Sequence, residues 1–564
     1  MNGADLLVHE LKARGVRYVS CLCGNGLNGF LEAADRQGIR IIDTRNEQVA
    51  SFMADTWGKY TRNVGVCVVS SGPGHVNAIT GVMNAAFDGS PMLLISGMSP
   101  LATYDMDHFQ DIEQVALVAP LCKYARMVES AAKIPYYVQR AFAAAVSGRP
   151  GPVHLTIPAD VLAAPVDAGK YAWKNPAPGC VEQNQPADAQ LVRDALALIC
   201  KARRPFMVVG SGAFYADAGR ELERFAEHTN IPILHMLWDR TCIERPIPQY
   251  VGVSKAAING AAALLTQADL VIVVGARADY RIHYGNPAAY RKDTEFIRID
   301  ADDMELTRGM EAAVAIEADP RSVLRQFNES GNLFPRSAGR TAGLSGKNTI
   351  KGLAARNQAW LNRVSAARRA HIARFGKVCR SNAYPIPAAR LCAEIKPFLK
   401  NDIAFIIDGG NIGQWAHLLL FDRCPAAWMG PGLSGVIAYG IPAAMAIKVS
   451  HPDRPILLLS GDGSATFTIA DIERAVAHRL PFVMIIADDG GWGIVRTGQV
   501  ETYGKGRDVA SRLGPIRFDL LGKALGAHGV RIAKAGEIAP AVAKGLKADR
   551  PTIIHVPTAH MSPF

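Results

Sequence analysis

Residues 455–491 read PILLLSGDGSATFTIADIERAVAHRLPFVMIIADDGG. An apolar run, ILLL, ends in Gly461-Asp462-Gly463, and a second, FVMII, ends in Asp488-Asp489. Short apolar runs bounded by turn residues read as strands covered on both faces, the habit of parallel sheets. Twenty-four residues separate Gly463 from Asp488, enough for one helix and two turns. Both acidic groups therefore arrive at the carboxyl ends of neighbouring parallel strands, where open α/β sheets take their ligands.

The same alternation runs outward along the whole chain. VRYVSCL, IRIIDT, VGVCVVSS and MLLISG read as buried strands of a first α/β unit that closes with GRPGPVHLTIPADV, giving a domain over 1–170. PFMVVGSG, IPILHM, DLVIVVGAR, EFIRID and AVAIEAD build a central unit over 186–330. A linker with a basic helix through Arg368–Arg369 fills 331–380, and IAFIIDGGN, the stretch above and TIIHV place a last unit at 381–564. Lys174–Pro186 and Ser337–Asn348 are the two linker candidates, rich in Gly, Pro, Ser and Asn.

At 564 residues the chain exceeds one hydrophobic core, and 49% hydrophobic with 20% charged residues excludes a disordered protein. Uncharged apolar runs are too short for a membrane span, and the charged start MNGADLLVHELKARG reads as a first helix, not a signal peptide. Ten scattered cysteines form no C-x-x-C pair, so neither a zinc site nor a disulfide framework is indicated, and a cytoplasmic location fits. The net charge of +11 is spread without a nucleic-acid motif and reads as a field favouring small anionic ligands.

Glycines beside Asp462 let bare backbone approach a bulky anion, and the carboxylate suits a hard divalent ion. Mg2+ takes oxygen ligands shared among carboxylates, water and substrate phosphates, so a diphosphate bridged by Mg2+ follows. The bland alternative is a turn with two solvated aspartates; Gly-Asp-Gly alone hardly separates the two readings, and the paired spacing favours the functional one. A glycine-rich reading as a nicotinamide site fails, because VGSGAFYADAG does not complete G-x-G-x-x-G.

Gly-Asp-Gly followed at this distance by a strand ending in two Asn is the signature of thiamine-diphosphate enzymes. The chain resembles their branch holding acetolactate synthase, benzaldehyde lyase, oxalyl-CoA decarboxylase and 2-hydroxyacyl-CoA lyase. The resemblance implies three doubly wound parallel-sheet domains: pyrimidine-binding, central and diphosphate-binding. It implies Mg2+ on Asp462, Asp489 and the carbonyl of Gly491, with Gly461, Gly463 and Ser464 around the diphosphate. Both signature asparagines are aspartates here, which adds negative charge beside the diphosphate.

IIDTRNEQVASFMADTWGKYTR resembles the family's R-H-E-Q-x-A-x-x-A-A-D-G-Y-A-R segment and puts Glu47 at the catalytic glutamate, with Asn46 in place of His. That glutamate hydrogen bonds the cofactor's pyrimidine nitrogen, a task suited to a carboxyl group that can hold a proton in an apolar cleft. GPGLSGVIAYGIPAAMAIK matches the segment whose bulky residue bends the cofactor, placing Ile437 under its rings. Because family sites join the first domain of one subunit to the third of another, the resemblance implies a homodimer as the smallest active unit and a homotetramer as the assembly.

CGNGLNG, SSGPGHVN and DHFQDIEQ bring Asn25, Gly72, His75 and Gln110 to the reacting end of the site, with His75 and Gln110 as further catalytic candidates. GGWGIVRTGQVETYG reads as a flexible loop over the cleft, with Trp492, Ile494 and Arg496 facing substrate and Arg496 suited to a carboxylate. DLVIVVGARADYRIHYGNPAAYRKDTEFIRIDADDMEL resembles central domains that hold FAD, ADP, CoA or nothing. FAD is disfavoured because the G-M-H-G stretch is replaced, and CoA because only PTAHMSPF follows the last strand. The expected reaction is lyase or carboligase chemistry on a 2-oxo acid or 2-hydroxy carbonyl compound. The alternatives are a catalytically impaired homologue and a 2-oxo acid decarboxylase.

Overall fold

Apolar runs that cannot face water on either side assemble into three sheets, every strand pair parallel. The computed structural model describes residues 1–167, 179–180, 184–243, 245–286, 289–330, 350–423 and 428–563. The first sheet holds β1 (Tyr18–Leu22), β2 (Arg40–Asp43), β3 (Gly65–Val69), β4 (Met92–Met98), β5 (Tyr124–Met127) and β6 (Pro152–Pro158) in the order β2-β1-β3-β4-β6-β5. The second holds β7 (Pro205–Val209), β8 (Ile233–His235), β9 (Tyr250–Val253), β10 (Leu270–Val274), β11 (Glu295–Asp300) and β12 (Val314–Glu317), ordered β12-β11-β10-β7-β8-β9.

The third sheet holds β13 (Ile386–Pro387), β14 (Ala404–Asp408), β15 (Trp428–Met429), β16 (Ile456–Gly461), β17 (Val483–Asp488), β18 (His528–Arg531) and β19 (Thr552–Ala559). Its order is β13-β19-β17-β16-β14-β15, with β18 also on β19. β16 and β17 are neighbours in register Gly461↔Ala487, as the opening stretch requires. Leu457, Leu458 and Leu459 are fully buried, and burying each such side chain is worth about 1.5–3 kcal/mol.

The three parallel α/β units agree with the sequence reading, while several local expectations change. The single helix expected between β16 and β17 is two, Asp462–Thr468 and Ile472–Ala477, separated by the 3-10 turn Ile469–Asp471. β5, β9 and the short edge strands β13, β15 and β18 carried too little apolar pattern to be read. The basic helix is present as Ile350–Ala373. Ser337–Asn348 lies outside the described residues, as does most of Lys174–Pro186. Among the described residues, no helix is long and apolar enough to cross a membrane.

The first and third domains meet along helices Glu47–Thr61 and Gly440–Ser450. Val49, Phe52 and Met53 pack with Tyr439, Ile441 and Ala443 in one core, and the Phe52 and Tyr439 rings meet edge-on at 5.8 Å. Arg45 pairs with Glu473, and Arg474 and His478 with Asp43, along the rim of this contact.

Candidate functional site

At the carboxyl edge of the third sheet an open cleft of about 240 Å³ is lined by Gly461, Asp462, Gly463 and Ser464 after β16, and Asp489 and Gly491 after β17. Asn411, Ile437, Trp492 and Ile494 close its sides. Asp462 is buried; its Oδ1 accepts from the Gly463 amide at 2.9 Å and its Oδ2 from the Gly491 amide at 3.0 Å. The carboxylate thus ties the two strand ends together. A Cβ on Gly463 would meet the Trp492 ring at 2.5 Å, so only glycine leaves the backbone bare there.

The two aspartates that stand where the family has asparagines each meet a histidine from the end of the chain. His555 Nε2 lies 2.8 Å from Asp488 Oδ2, and its Nδ1 3.5 Å from Asp519. His560 Nδ1 lies 3.1 Å from Asp489 Oδ2, which also accepts from Asn411 Nδ2 at 3.0 Å. Burial works to raise the Asp488 carboxyl, but the hydrogen bond and charge of His555 hold it below the usual carboxylate range. Asp462 is pushed the other way, by burial first and the nearby Asp489 charge second.

The Asp489 charge beside Asp462 is a repulsion that a hard cation would relieve. Among the described residues no three His, Cys, Asp or Glu converge on one point. A cation here would therefore rest on two carboxylates and backbone oxygen, the donor type that suits Mg2+. The bare glycines and the Ser464 hydroxyl beside it fit phosphate oxygens.

Ile437 reaches the cleft from a backbone that is itself constrained. The next residue, Ala438, adopts φ 78, a left-handed conformation that costs a non-glycine residue about 1–3 kcal/mol. It is held there from two sides: Thr468 Oγ1 donates to its carbonyl at 3.3 Å, and the Gly440 amide donates to Asp408 at 2.9 Å.

Glu47 opens helix Glu47–Thr61 just past β2, capped by the Asn46 side chain, which accepts from Gln48 N. It is largely buried, and Asn77 Nδ2 donates to its Oε2 at 3.0 Å. A Cβ on Gly74 would sit 3.0 Å from Oε1, so that glycine keeps the space beside the second oxygen open. Asn25 donates to Ser71 Oγ at 3.1 Å, and Ser71 donates to Gln110 Oε1 at 3.3 Å, linking three loops of the first sheet. Gly72 N donates to Gln114 Oε1 at 3.1 Å, and Gln114 in turn donates to the Gly97 carbonyl.

Two sequence expectations change here for physical reasons. His75 is fully buried, its Nδ1 2.8 Å from Ser96 Oγ and its ring against His154. Burial brings its pKa down to about 4, so it stays a neutral core ring near pH 7 and does not face the cleft. The segment read as a flexible loop is helix Gly493–Tyr503, and its Arg496 is held by Asp508 at 3.1 Å, while Trp492 and Ile494 do line the cleft. The sequence reading missed Asn77, Asn411, His555 and His560. Only the last two carried a signal, as histidines in and after the final apolar strand.

The cleft on the third sheet draws all its lining from residues 388–559, and Glu47, Gly72, Gln110 and Asn25 do not line it. The structure therefore presents two separate edges, one on the first sheet with Glu47 and an acidic, glycine-rich one on the third. Three parallel-sheet domains carrying those two edges define a cofactor-dependent enzyme of the thiamine type. The chain matches the thiamine pyrophosphate enzyme N-terminal TPP binding domain over 1–117, the central domain over 192–327 and the C-terminal TPP binding domain over 408–556. It belongs to the thiamine pyrophosphate enzyme family.

It is 30% identical over 565 residues to the acetolactate synthase large subunit of Corynebacterium glutamicum, covering 98% of this chain and 86% of that one. It is 27% identical over 563 residues to the acetolactate synthase large subunit IlvG of Mycobacterium tuberculosis (99% and 96% covered). Human 2-hydroxyacyl-CoA lyase 2 is 26% identical over 573 residues (95% and 86% covered).

Proposed function

We propose that this enzyme is a lyase or carboligase that breaks or forms a carbon–carbon bond beside a carbonyl, on a 2-oxo acid or 2-hydroxy carbonyl compound. The observation that carries this reading is the pairing of the Glu47 edge with the Asp462–Asp489 cleft in one chain. Bound thiamine diphosphate supplies a nucleophilic carbon and an electron sink next to the substrate carbonyl. Asp462, Asp489 and the Gly491 carbonyl would hold Mg2+, with Gly461, Gly463 and Ser464 against the diphosphate. Ile437, which lines the cleft, would lie against the cofactor rings. Glu47, its Oε2 fixed by Asn77, would present Oε1 to the pyrimidine nitrogen for proton transfer. Gln110 and Asn25, joined through Ser71, orient the reacting carbonyl.

Because the cleft takes no lining from the first domain, a second copy would complete it, with a homodimer as the smallest unit and a homotetramer as its assembly. Exposed apolar side chains rim both edges, Val76 and Phe109 on one and Phe467 and Val495 on the other, which supports a covered surface. FAD, ADP or CoA in the central domain is not favoured. In its crevice Arg281 is already engaged by Asp239 and Asp279, which leaves it no free bidentate face for a diphosphate. An impaired homologue is disfavoured, since the two aspartates that suggested it are each matched by a histidine.

The test is a product screen by mass spectrometry over 2-oxo acids and 2-hydroxyacyl compounds, with thiamine diphosphate and Mg2+ present. A condensed or cleaved product that needs both additions and vanishes in E47Q supports the reading. Failure of the folded protein to take up thiamine diphosphate at millimolar Mg2+ overturns it.

A further inference from the structure

The loop that presents Ile437 is fastened on both sides to a charged cluster belonging to another domain. Before Ile437, the Leu433 amide donates to Asp88 Oδ1 at 2.8 Å, and Ser434 Oγ donates to Asn84 Oδ1. After it, the Tyr439 hydroxyl meets Thr56 Oγ1 at 2.9 Å. Asp88 and Asn84 lie on helix Pro73–Asp88 and Thr56 on helix Glu47–Thr61, both in the first domain.

Lys59 is the centre of the cluster. Its ammonium is 3% exposed, 2.9 Å from Asp55 Oδ2, paired with Asp88, and 4.7 Å over the Tyr439 ring. Asn84 also donates to Asp55 at 2.8 Å, so one ammonium and one side-chain amide are shared between two buried carboxylates. Gly432 has φ 94, and a Cβ there would run into the Asp88 carboxylate. The approach of loop to carboxylate leaves no room for any other residue.

We propose that Asp88, Asn84 and Lys59 are positioning residues for Ile437, so that the first domain sets the shape of the ring end of the cofactor cleft in its own chain. This rests on the reading of that cleft as the thiamine diphosphate site. The anchors grip residues 432–439 from the first domain, whereas the diphosphate end stands at the ends of β16 and β17, takes none of those anchors and meets the loop through Thr468 on the Ala438 carbonyl. The two ends of the cleft therefore respond separately to a loosened loop.

The experiment is calorimetric titration of the full-length protein in Mg2+ with two probes, thiamine diphosphate and inorganic diphosphate, alongside thermal melts. S434A removes one hydrogen bond from a half-buried site and is expected to raise the thiamine diphosphate Kd about three- to tenfold. Inorganic diphosphate is expected to bind S434A as it binds the native protein, and S434T, which keeps the hydroxyl, to restore the cofactor Kd. G432A is expected to show a larger rise of the same kind if it folds, and S434A carries the test if it does not. Parallel loss of both probes, or an unchanged cofactor Kd in S434A and G432A, overturns the proposal. Native protein that binds inorganic diphosphate but not thiamine diphosphate overturns the cofactor reading, and the positioning role with it.

Discussion

The first and third sheets present their carboxyl edges in like fashion, yet they surround their key carboxylates differently. Glu47 takes its hydrogen bond from a neutral amide, Asn77, and its neighbours Asn25, Ser71 and Gln110 are joined by uncharged hydrogen bonds. Asp462 stands among further carboxylates, Asp488 and Asp489, each of which is met by a histidine. A carboxyl group partnered by an amide can take up a proton without breaking an ion pair. A cluster of carboxylates is suited to holding a cation, because its repulsion is relieved only by positive charge. In the proposed function the first edge serves proton transfer and the second anchoring.

Substitution of Glu47 by Gln tests that division most severely. Turnover is expected to fall about 10²–10⁴-fold while thiamine diphosphate still binds, measured by product formation and by titration of the same sample. A parallel loss of binding would merge the two edges into one role. On the anchoring side, His560→Ala leaves Asp489 held only by Asn411. Mg2+-dependent cofactor affinity is expected to drop about 10–100-fold, the usual cost of removing a group that orients a metal ligand. Asp489→Asn in the same chain is expected to recover part of it, since an amide needs no compensating partner. Equal losses in the single and double variants would show that the two residues act independently.

A smaller effect sharpens the contrast between histidines that meet carboxylates and histidines that meet none. His235 and His417 lie buried with Phe421 and Trp428 where the central and third domains touch. Burial brings their pKa values down to about 4 and about 3 from the ordinary value near 6.5. The unfolded chain binds the extra protons first, so stability is fully present above pH 6.5 and declines as the pH falls toward 4. The slope is about 1.4 kcal/mol per pH unit for each histidine. Thermal melts between pH 7 and pH 5 are expected to show this decline, and H417F to flatten it. A slope unchanged in that variant would place the acid sensitivity elsewhere.

Much of the fold was legible because parallel strands buried on both faces leave continuous apolar runs, as in Ile456–Ser460 and Val483–Ala487. Edge strands such as β5 and β9 are short and leave no such trace. The segment after Asp489 misled because its glycines and polar residues suggested a loop, whereas it forms helix Gly493–Tyr503 with Arg496 drawn to Asp508. His75 misled in the opposite sense: a histidine beside a glycine-rich turn looked available for chemistry, and the helix it sits on turns it into the core.

The sequence by itself determined three parallel α/β units and the acidic strand ends at Asp462 and Asp489, because these depend on spacing along the chain, and its resemblance to the family singled out Glu47 and Ile437. The tertiary structure decided which distant groups meet them. β19 pairs with β17 in the register Ile486↔His555, which carries His555 to Asp488 and His560 to Asp489 across 67 and 71 residues. Asp88 reaches Leu433 across 345 residues. Such contacts leave no periodic trace in the chain, because strand order and domain packing, not residue spacing, bring their partners together.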